Sequence, residues 1–254
     1  MVTRLFHISD VHFGAEDRAA LDVVAQAVAD ERPDALVCTG DLTQRAKHSE
    51  YEAAREWFAA LDVPVVLEPG NHDMPYYNPW ERFTDPFRRY NRLREDVCRT
   101  FHSSDVVLVP LRTTVRAQRR FPWSDGVIRR AALQTTLAEL AALNGDPRTI
   151  IVIAHHPLLG PESDPINPTI GGDDAFAQIA AAGAHAILSG HVHVPFDQQR
   201  MVDGHSARMI GTGTLSTRLR HGAPASWREI TCAPGGVIDT RLRLGAAERG
   251  TQTP

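Results

Sequence analysis

The sequence is poor in cysteine, in long apolar segments and in net charge, and each shortage excludes a class of protein. The three cysteines, Cys38, Cys98 and Cys232, are an odd set without C-x-x-C spacing, which indicates reduced thiols and not a disulfide framework. No apolar run approaches the roughly 18 residues that a membrane-spanning helix needs. A formal net charge of -4 provides no general attraction to nucleic acid.

What remains is an ordinary globular composition, with 43% hydrophobic and 23% charged residues in 254. A strand predicted from Val2 leaves no room for a signal peptide, so we expect a cytoplasmic protein. No repeat or linker divides the chain. We therefore predict a single domain over residues 1–242, followed by a flexible tail over 243–254.

Apolar strands alternate with amphipathic helices in the first two thirds of the chain. The predicted strands cover 2–9, 34–39, 63–68, 149–155 and 184–189, and the predicted helices cover 18–31, 47–61 and 173–182. From Pro195 onward the pattern is typical of short antiparallel strands. The alternation indicates βαβ units and a parallel sheet, with a β-rich part after them.

Short polar motifs follow these strands at the points where they end. They contain Asp10 and His12, Asp41, Asn71 with His72 and Asp73, His155 and His156, and His191 and His193. Ligands in open α/β sheets bind outside the carboxyl ends of the strands, so we expect these side chains to converge. The motif G-N-H-D alone is expected by chance only about 0.001 times in a chain of this composition.

The order D-x-H, G-D, G-N-H-D, H-x-P and G-H-x-H resembles the calcineurin-like metallophosphoesterase superfamily. Within it the sequence most resembles bacterial class III cyclic-nucleotide and glycerophosphodiester phosphodiesterases. The resemblance covers residues 4–215, and no ligand position is substituted. It implies an α/β fold, a β-sandwich of mixed sheets flanked by helices in four layers, α/β/β/α.

Carboxylate, amide and imidazole groups without thiolate suit manganese, iron or zinc ions. Seven such side chains are too many for one ion with an open position and suit two ions that share a bridging ligand. The resemblance implies that one ion is held by Asp10, His12 and His193, the other by Asn71, His155 and His191, and that Asp41 bridges them.

Two such ions can bind phosphate oxygens, lower the pKa of a bridging water and hold the resulting hydroxide in line with phosphorus. His72 is then expected to be the general acid for the leaving alkoxide, worth about 10²–10⁴-fold in rate. We expect Asp73 to orient His72 or keep it protonated. Asn71 would bind a cation without repelling the phosphate, and His156 would either contact substrate or pack behind the ligands.

The predicted function is hydrolysis of a small phosphodiester, such as a cyclic nucleotide or a glycerophosphodiester. A phosphomonoesterase, a nucleotide pyrophosphatase and a nuclease use the same chemistry, although the negative net charge argues against nucleic acid. A non-catalytic scaffold of the same fold is a further alternative. Such a scaffold would be expected to lose ligands or the acid histidine, and this chain has them all.

A helical insertion rich in arginine and aromatic residues is predicted at about 76–100. The stretch 82–130 contains twelve arginines, no lysine and five acidic residues. One interpretation is an amphipathic helix that packs its aromatic side chains on the core and exposes a basic face. The other is a cap that gathers an anionic substrate, or a face at 80–94 that rests on anionic lipid, with Arg88 and Arg89 as the cations.

Overall fold

The computed structural model describes residues 2–118, 123–160 and 169–245. Its strands, in chain order, are β1 (Thr3–Ile8), β2 (Ala35–Cys38), β3 (Val65–Leu67), β4 (Val106–Pro110), β5 (Gly126–Val127), β6 (Thr149–Ile153), β7 (Thr169–Ile170), β8 (Ala186–Ser189), β9 (Phe196–Val202), β10 (His205–Gly211), β11 (Ser226–Ala233) and β12 (Val237–Leu244). Its helices are α1 (Arg18–Glu31), α2 (His48–Ala60), α3 (Pro79–Thr84), α4 (Arg88–Val97), α5 (Arg130–Ala142) and α6 (Gly172–Ala181).

The strands form two five-stranded mixed sheets and a short pair, β5 and β7. The first sheet has the order β12-β11-β1-β2-β3, in which β1, β2 and β3 are parallel and β11 and β12 are antiparallel. The second has the order β4-β6-β8-β10-β9, in which only β9 runs against its neighbour. Because the parallel strands lie side by side in each sheet, their carboxyl ends can meet at one rim.

The two sheets pack face to face, and helices cover both outer faces. Buried side chains from both sheets, among them Leu5, Val37, Ile151 and Leu188, form one apolar cluster between them. A second cluster joins α1, α2 and α4 to the first sheet, and a third joins α5 and α6 to the second sheet. This confirms the predicted four-layer α/β/β/α sandwich. The sequence pattern alone had indicated neither β4 nor α5.

The predicted basic insertion is not one amphipathic helix. It is interrupted between α3 and α4, where Pro86 disfavours helical geometry at the residue before it. Tyr90 on α4 is fully buried, whereas Trp80 and Phe83 on α3 are 79% and 48% exposed. The interpretation that the aromatic residues all pack on the core is therefore wrong for α3. We call the segment from Pro75 to Val97 the cap.

The cations proposed for the cap are engaged within it. Arg88 and Arg89 both donate to the carboxylate of Glu81, which is buried between them. Contact of 80–94 with anionic lipid stays a prediction, because the exposed Trp80 and Phe83 still suit a membrane interface. Flotation with anionic vesicles tests it, since failure of the wild type to float with them would exclude such contact.

The last strand, β12, extends into the predicted tail. β12 includes Arg243 and Leu244, which the sequence had suggested as the start of a tail. The Arg243 guanidinium donates to Glu31 at 2.8 Å and to Glu229 at 3.0 Å, which ties the edge strand to α1 and β11. Residues 246–254 of the predicted tail lie outside the described residues. In the described part of the chain no helix has the length and apolar character of a membrane span, and all three cysteines are free.

Candidate metal centre

The loops that follow the parallel strands of both sheets are joined to one another by backbone hydrogen bonds. The Asp10 amide donates to the Gly40 carbonyl at 3.0 Å, and the His12 amide donates to the Asp41 carbonyl at 2.9 Å. Within the second sheet, the Gly190 amide donates to the His155 carbonyl at 2.9 Å, and across the sandwich the Leu215 amide donates to the Asp10 carbonyl at 3.3 Å. The motifs predicted to converge therefore lie at one rim, fixed by their own main chain.

Five of the predicted ligands have a left-handed backbone, which non-glycine residues rarely adopt. Their φ angles are 54° for Asp10, 51° for His12, 52° for Asp41, 68° for His191 and 61° for His193. Such conformations cost about 1–3 kcal/mol each and persist where the surrounding structure enforces them. The rim thus stores backbone strain at the side chains that carry the chemistry.

Gly70 and Gly190 allow their loops to lie in direct contact with the predicted ligands Asp41 and Asp10. A Cβ atom on Gly190 would overlap the Ser9 hydroxyl and the carboxylate of Asp10. A Cβ atom on Gly70 would overlap the carboxylate of Asp41. The glycines of G-H-x-H and G-N-H-D are therefore required by close contact with the ligands of neighbouring strands.

The first group of ligand atoms belongs to Asp10, His12 and His193, which lie within 4.8 Å of one another and are buried. His193 Nε2 is 3.1 Å from Asp10 Oδ1 and 3.2 Å from His12 Nε2. The Nδ1 atoms of the two histidines donate to the carbonyls of Arg218 (2.6 Å) and Thr43 (3.4 Å). Both Nε2 lone pairs therefore face Asp10 Oδ1, which has no hydrogen-bond donor.

The second group is built around His155. Its Nδ1 donates to the Thr39 carbonyl at 2.7 Å, so its Nε2 faces Asn71 Oδ1 at 3.2 Å and Asp41 Oδ1 at 3.4 Å. The other oxygen of Asp41, Oδ2, is 3.6 Å from His12 Nε2 in the first group. The two oxygens of one carboxylate are thus directed at two ligand groups, the arrangement of a bridging ligand.

Convergent carboxylate, amide and imidazole groups are the mark of a cation site, and here the set of predicted ligands fits two divalent ions. The fit rests on the orphaned oxygen of Asp10 and on facing imidazole lone pairs. His191 completes the second group, with its ring centroid 5.2 Å from that of His155. The structure therefore brings together all seven predicted ligands.

The charges at the rim suit the same conclusion. Burial lowers the pKa of His12 and of His191 to about 3, which keeps both imidazoles neutral, as metal ligands must be. Burial opposes protonation of His155 as well, but the adjacent carboxylate of Asp41 raises the pKa of His155 to about 9. Burial alone would raise the pKa of Asp41, but the positive charge of His155 outweighs it and lowers that pKa. The centre strongly favours positive charge beside Asp41.

Asp73 does not have the predicted contact with His72. Its carboxylate accepts from the amides of Gly70 (2.8 Å), Thr43 (2.9 Å) and Leu42 (3.2 Å). Burial raises the pKa of Asp73 to about 6. Asp73 therefore fixes the loops after β2 and β3, and the expectation that it orients the imidazole of His72 is wrong in geometry.

His72 is oriented by a carbonyl instead. Its Nδ1 donates to the Gln44 carbonyl at 2.7 Å, which turns Nε2 toward the predicted ligands. The amide of His72 also donates to Asp41 Oδ1 at 2.8 Å. His72, one residue beyond the predicted ligand Asn71, is thus held by Asp41 on one side and by the loop after β2 on the other.

Arg218 is a member of the site that the sequence interpretation missed. Its Nη1 lies 3.1 Å from His72 Nε2, 3.3 Å from His12 Nε2 and 3.4 Å from Gln44 Oε1. The surrounding letters, "LSTRLR", match no motif. Only the topology could have indicated Arg218: it follows β10, another parallel strand whose carboxyl end lies at this rim.

His156 is engaged by neighbouring protein groups at both ring nitrogens. Its Nε2 donates to the Ser124 carbonyl at 2.9 Å, and its Nδ1 accepts from the Thr113 hydroxyl at 2.8 Å. It is fully buried, and its ring meets that of His155 edge-on and that of His191 at a tilt; burial lowers its pKa. Both ring nitrogens are used, so His156 supports the segment at Ser124, as expected if it packs behind the predicted ligands, and its contact with substrate stays a prediction.

A cavity of about 540 Å³ opens beside the ligands. Its walls include Gln44, Asn71, His72, Tyr76, Arg82 and Trp123. A second cavity, of about 570 Å³, lies between α2 and α4 and contains none of the predicted ligands. The first cavity has the size of a small-molecule site, and its walls include residues of the cap and of the predicted metal centre.

The chain is similar to known phosphodiesterases and to a dimetal phosphatase. The chain is 26% identical over 250 residues to a probable cyclic nucleotide phosphodiesterase of Synechococcus, covering 93% of this chain and 90% of that protein. It is 40% identical over 80 residues to the glycerophosphodiester phosphodiesterase GpdQ of Enterobacter lignolyticus, covering 27% of this chain and 29% of that protein. A dimetal phosphatase from Danio rerio has the same fold, with a TM-score of 0.63 at 14% identity over 96% of this chain and 99% of that one.

The family comparison covers most of the chain. The model described as calcineurin-like phosphoesterase matches residues 3–195, which include every predicted metal ligand. The two sheets, the strand-end motifs and this match agree, and the chain belongs to the calcineurin-like phosphoesterase family.

Proposed function

We propose that this calcineurin-like phosphoesterase, a metal-dependent phosphoester hydrolase, cleaves small phosphodiesters at a centre of two divalent ions. The observation that carries the proposal is the direction of the two Asp41 oxygens toward two separate ligand groups. Cyclic nucleotides and glycerophosphodiesters are the candidate substrates, because similar proteins have those names.

The chain would hold the two ions through the seven ligands, with Asp41 between them. When bound, divalent ions supply charge for the phosphoryl oxygens and lower the pKa of a water molecule. We propose manganese or iron as the ions, with zinc as an alternative, because oxygen and imidazole ligands without thiolate accept all three.

Two side chains would act on the leaving group. Because the Gln44 carbonyl holds Nδ1 of His72, any proton that His72 transfers to the leaving oxygen would be at Nε2. Arg218 Nη1 reaches the same position and always carries a positive charge. We propose that Arg218 donates to the oxygen on which charge develops, beside the proton donor His72.

The proposed partner is a small diester and not nucleic acid. The cavity of about 540 Å³ fits a small ligand. The net charge of -4 gives no electrostatic reason for binding a polyanion. A nuclease would instead be indicated by cleavage of single-stranded DNA at a rate similar to that of a small diester.

The test is hydrolysis of bis(p-nitrophenyl) phosphate beside p-nitrophenyl phosphate, with metal-stripped protein reloaded with Mn²⁺. We expect the diester to be preferred, its cleavage to disappear in Asp41→Asn and to fall about 10²–10⁴-fold in His72→Ala. Preference for the monoester would indicate a phosphatase. Absence of activity with any of the three metals in folded protein would favour a scaffold.

Two matched controls separate chemistry from folding. Asp203 is exposed and has a left-handed φ of 51°, close to the 52° of Asp41. Asp203→Asn is therefore the same substitution at a residue with the same backbone conformation. His205 is an exposed histidine on β10, so His205→Ala matches the change at His72. Both controls should keep full activity.

A further inference from the structure

We infer that the cavity beside His72 contains a subsite for a planar aromatic group of the diester, an aryl ring or a heterocyclic base, in preference to an aliphatic group such as glycerol. The inference rests on the proposed phosphodiesterase function and adds the substrate class. It concerns residues outside the metal-ligand motifs, chiefly Trp123, Tyr76 and Arg82.

The cavity walls include exposed aromatic side chains. Trp123 and Tyr76 are 44% and 69% exposed, and both line the cavity. Met74 lies beside them and is buried. Exposed aromatic faces on a cavity wall are platforms on which a flat π-system stacks.

The indole of Trp123 is held in place before any ligand arrives. The guanidinium of Arg82 lies over the ring, 5.8 Å from its centroid. Arg82 Nε in turn donates to the Arg116 carbonyl at 2.7 Å. The adjacent Ser124 carbonyl accepts from His156 Nε2 at 2.9 Å. A wall fixed in this way loses little side-chain freedom on binding.

Tyr76 is held by a second pair of contacts. Its ring meets that of Tyr77 edge-on, with the centroids 5.2 Å apart and the planes at 82°. The Tyr77 hydroxyl accepts from Arg45, whose guanidinium lies 5.6 Å from the Tyr77 ring centroid. Each aromatic wall of the cavity is therefore supported by an arginine.

The position of the cavity connects these walls to the reaction. Asn71, a metal ligand, and His72, the proposed proton donor, line the same cavity. A group esterified to phosphorus at the ligands would extend from there toward Trp123 and Tyr76. A planar group gains stacking on both indole and guanidinium, and a glycerol group gains neither.

The experiment uses two diesters without any other aromatic group, the methyl ester of adenosine 5′-monophosphate and the methyl ester of glycerol 3-phosphate. In Trp123→Ala we expect kcat/KM for the adenosine ester to fall about 5- to 150-fold, the range of one stacked base. The glycerol ester should be cleaved as by the wild type. Trp123→Phe should retain most of the preference.

Trp80→Ala is the control, because Trp80 is 79% exposed on α3 and does not line the cavity. Equal losses for both esters in Trp123→Ala, or a loss in Trp80→Ala as large as that in Trp123→Ala, would overturn the subsite and leave the phosphodiesterase proposal standing.

Binding measurements separate failure of the subsite from failure of the proposed function. Calorimetric titration of Mn²⁺-reloaded protein with adenosine 5′-monophosphate and with glycerol 3-phosphate needs no turnover. If the wild type cleaves neither ester, the function is wrong, and weakened binding of the adenosine ligand alone in Trp123→Ala still supports the subsite. Binding of the adenosine ligand that does not depend on Trp123 overturns it.

Discussion

The metal rim and the cap lie side by side around one cavity, yet they are held by different means. At the rim, main-chain hydrogen bonds join the ligand loops, as from the His12 amide to the Asp41 carbonyl. In the cap, arginine side chains reach carbonyls and carboxylates, as Arg82 does at the carbonyl of Arg116 and Arg89 at that of Ala46. Backbone hydrogen bonds therefore hold the rim, whereas hydrogen bonds from arginine side chains hold the cap.

The largest effect is expected where the rim loses a ligand charge. Asp10→Asn keeps a residue that tolerates the φ of 54° but makes the carboxylate neutral. We expect bound metal to fall and diester hydrolysis to drop at least about 10²–10³-fold. Metal analysis and kinetics check this, with Asp203→Asn as the control. Full metal content with full activity would show that Asp10 is not a ligand.

Arg218→Ala tests whether the rim needs a cation from outside the family motifs. Loss of a donor to developing charge costs about 10²-fold in kcat/KM, and we expect such a loss with metal content unchanged. Arg218→Lys should restore part of it. Arg220→Ala, at an exposed neighbour, is the control. A reduced metal content in Arg218→Ala would instead assign Arg218 a structural role at His193, whose Nδ1 donates to its carbonyl.

Glu68 connects the two regions and supplies a pH test. It is buried, pairs with Arg112 at 3.2 Å, and Arg112 lies 4.4 Å from the ring centroid of Phe87. Burial raises the pKa of Glu68 to about 7 from a usual value of 4.5. Between these values the folded protein binds more protons than the unfolded chain, so stability falls as the pH rises.

Relative to Glu68→Gln, the wild type should therefore lose stability from pH 5 to pH 8, by at most about 3 kcal/mol. Urea unfolding at several pH values measures the difference between the two proteins. Glu229→Gln is the comparison variant, because Glu229 is also a glutamate that pairs with an arginine. Parallel curves for wild type and Glu68→Gln would mean that Glu68 stays ionised when folded.

The smallest effects are expected at the arginines of the cap. The Arg89 side chain is 14% exposed and donates to Glu81 and to Ala46, whereas the Arg88 side chain is 64% exposed. Arg89→Ala should cost about 1–3 kcal/mol of stability because it removes hydrogen bonds to a buried carboxylate. Arg88→Ala should cost about 0–1 kcal/mol. Equal costs by thermal unfolding would contradict the distinction.

The same contrast explains what the sequence could predict. Asp10, His12 and the G-N-H-D motif were predictable because close loops at strand ends demand particular residue types at fixed spacing. Asp73 was misread, since a carboxylate beside a histidine in sequence need not contact it in space. Arg218 and Trp123 follow no spacing rule, because they reach the cavity from loops whose position depends on how the two sheets pack.

The most direct test of the central claim is the number of metal ions bound per chain. Stripped protein is reloaded with Mn²⁺, desalted and analysed by mass spectrometry for metal, beside Asn71→Ala and the control Asp203→Asn. Two ions in the wild type and in the control, with fewer in Asn71→Ala, is the predicted result. One ion or none in the wild type would contradict a centre bridged by Asp41.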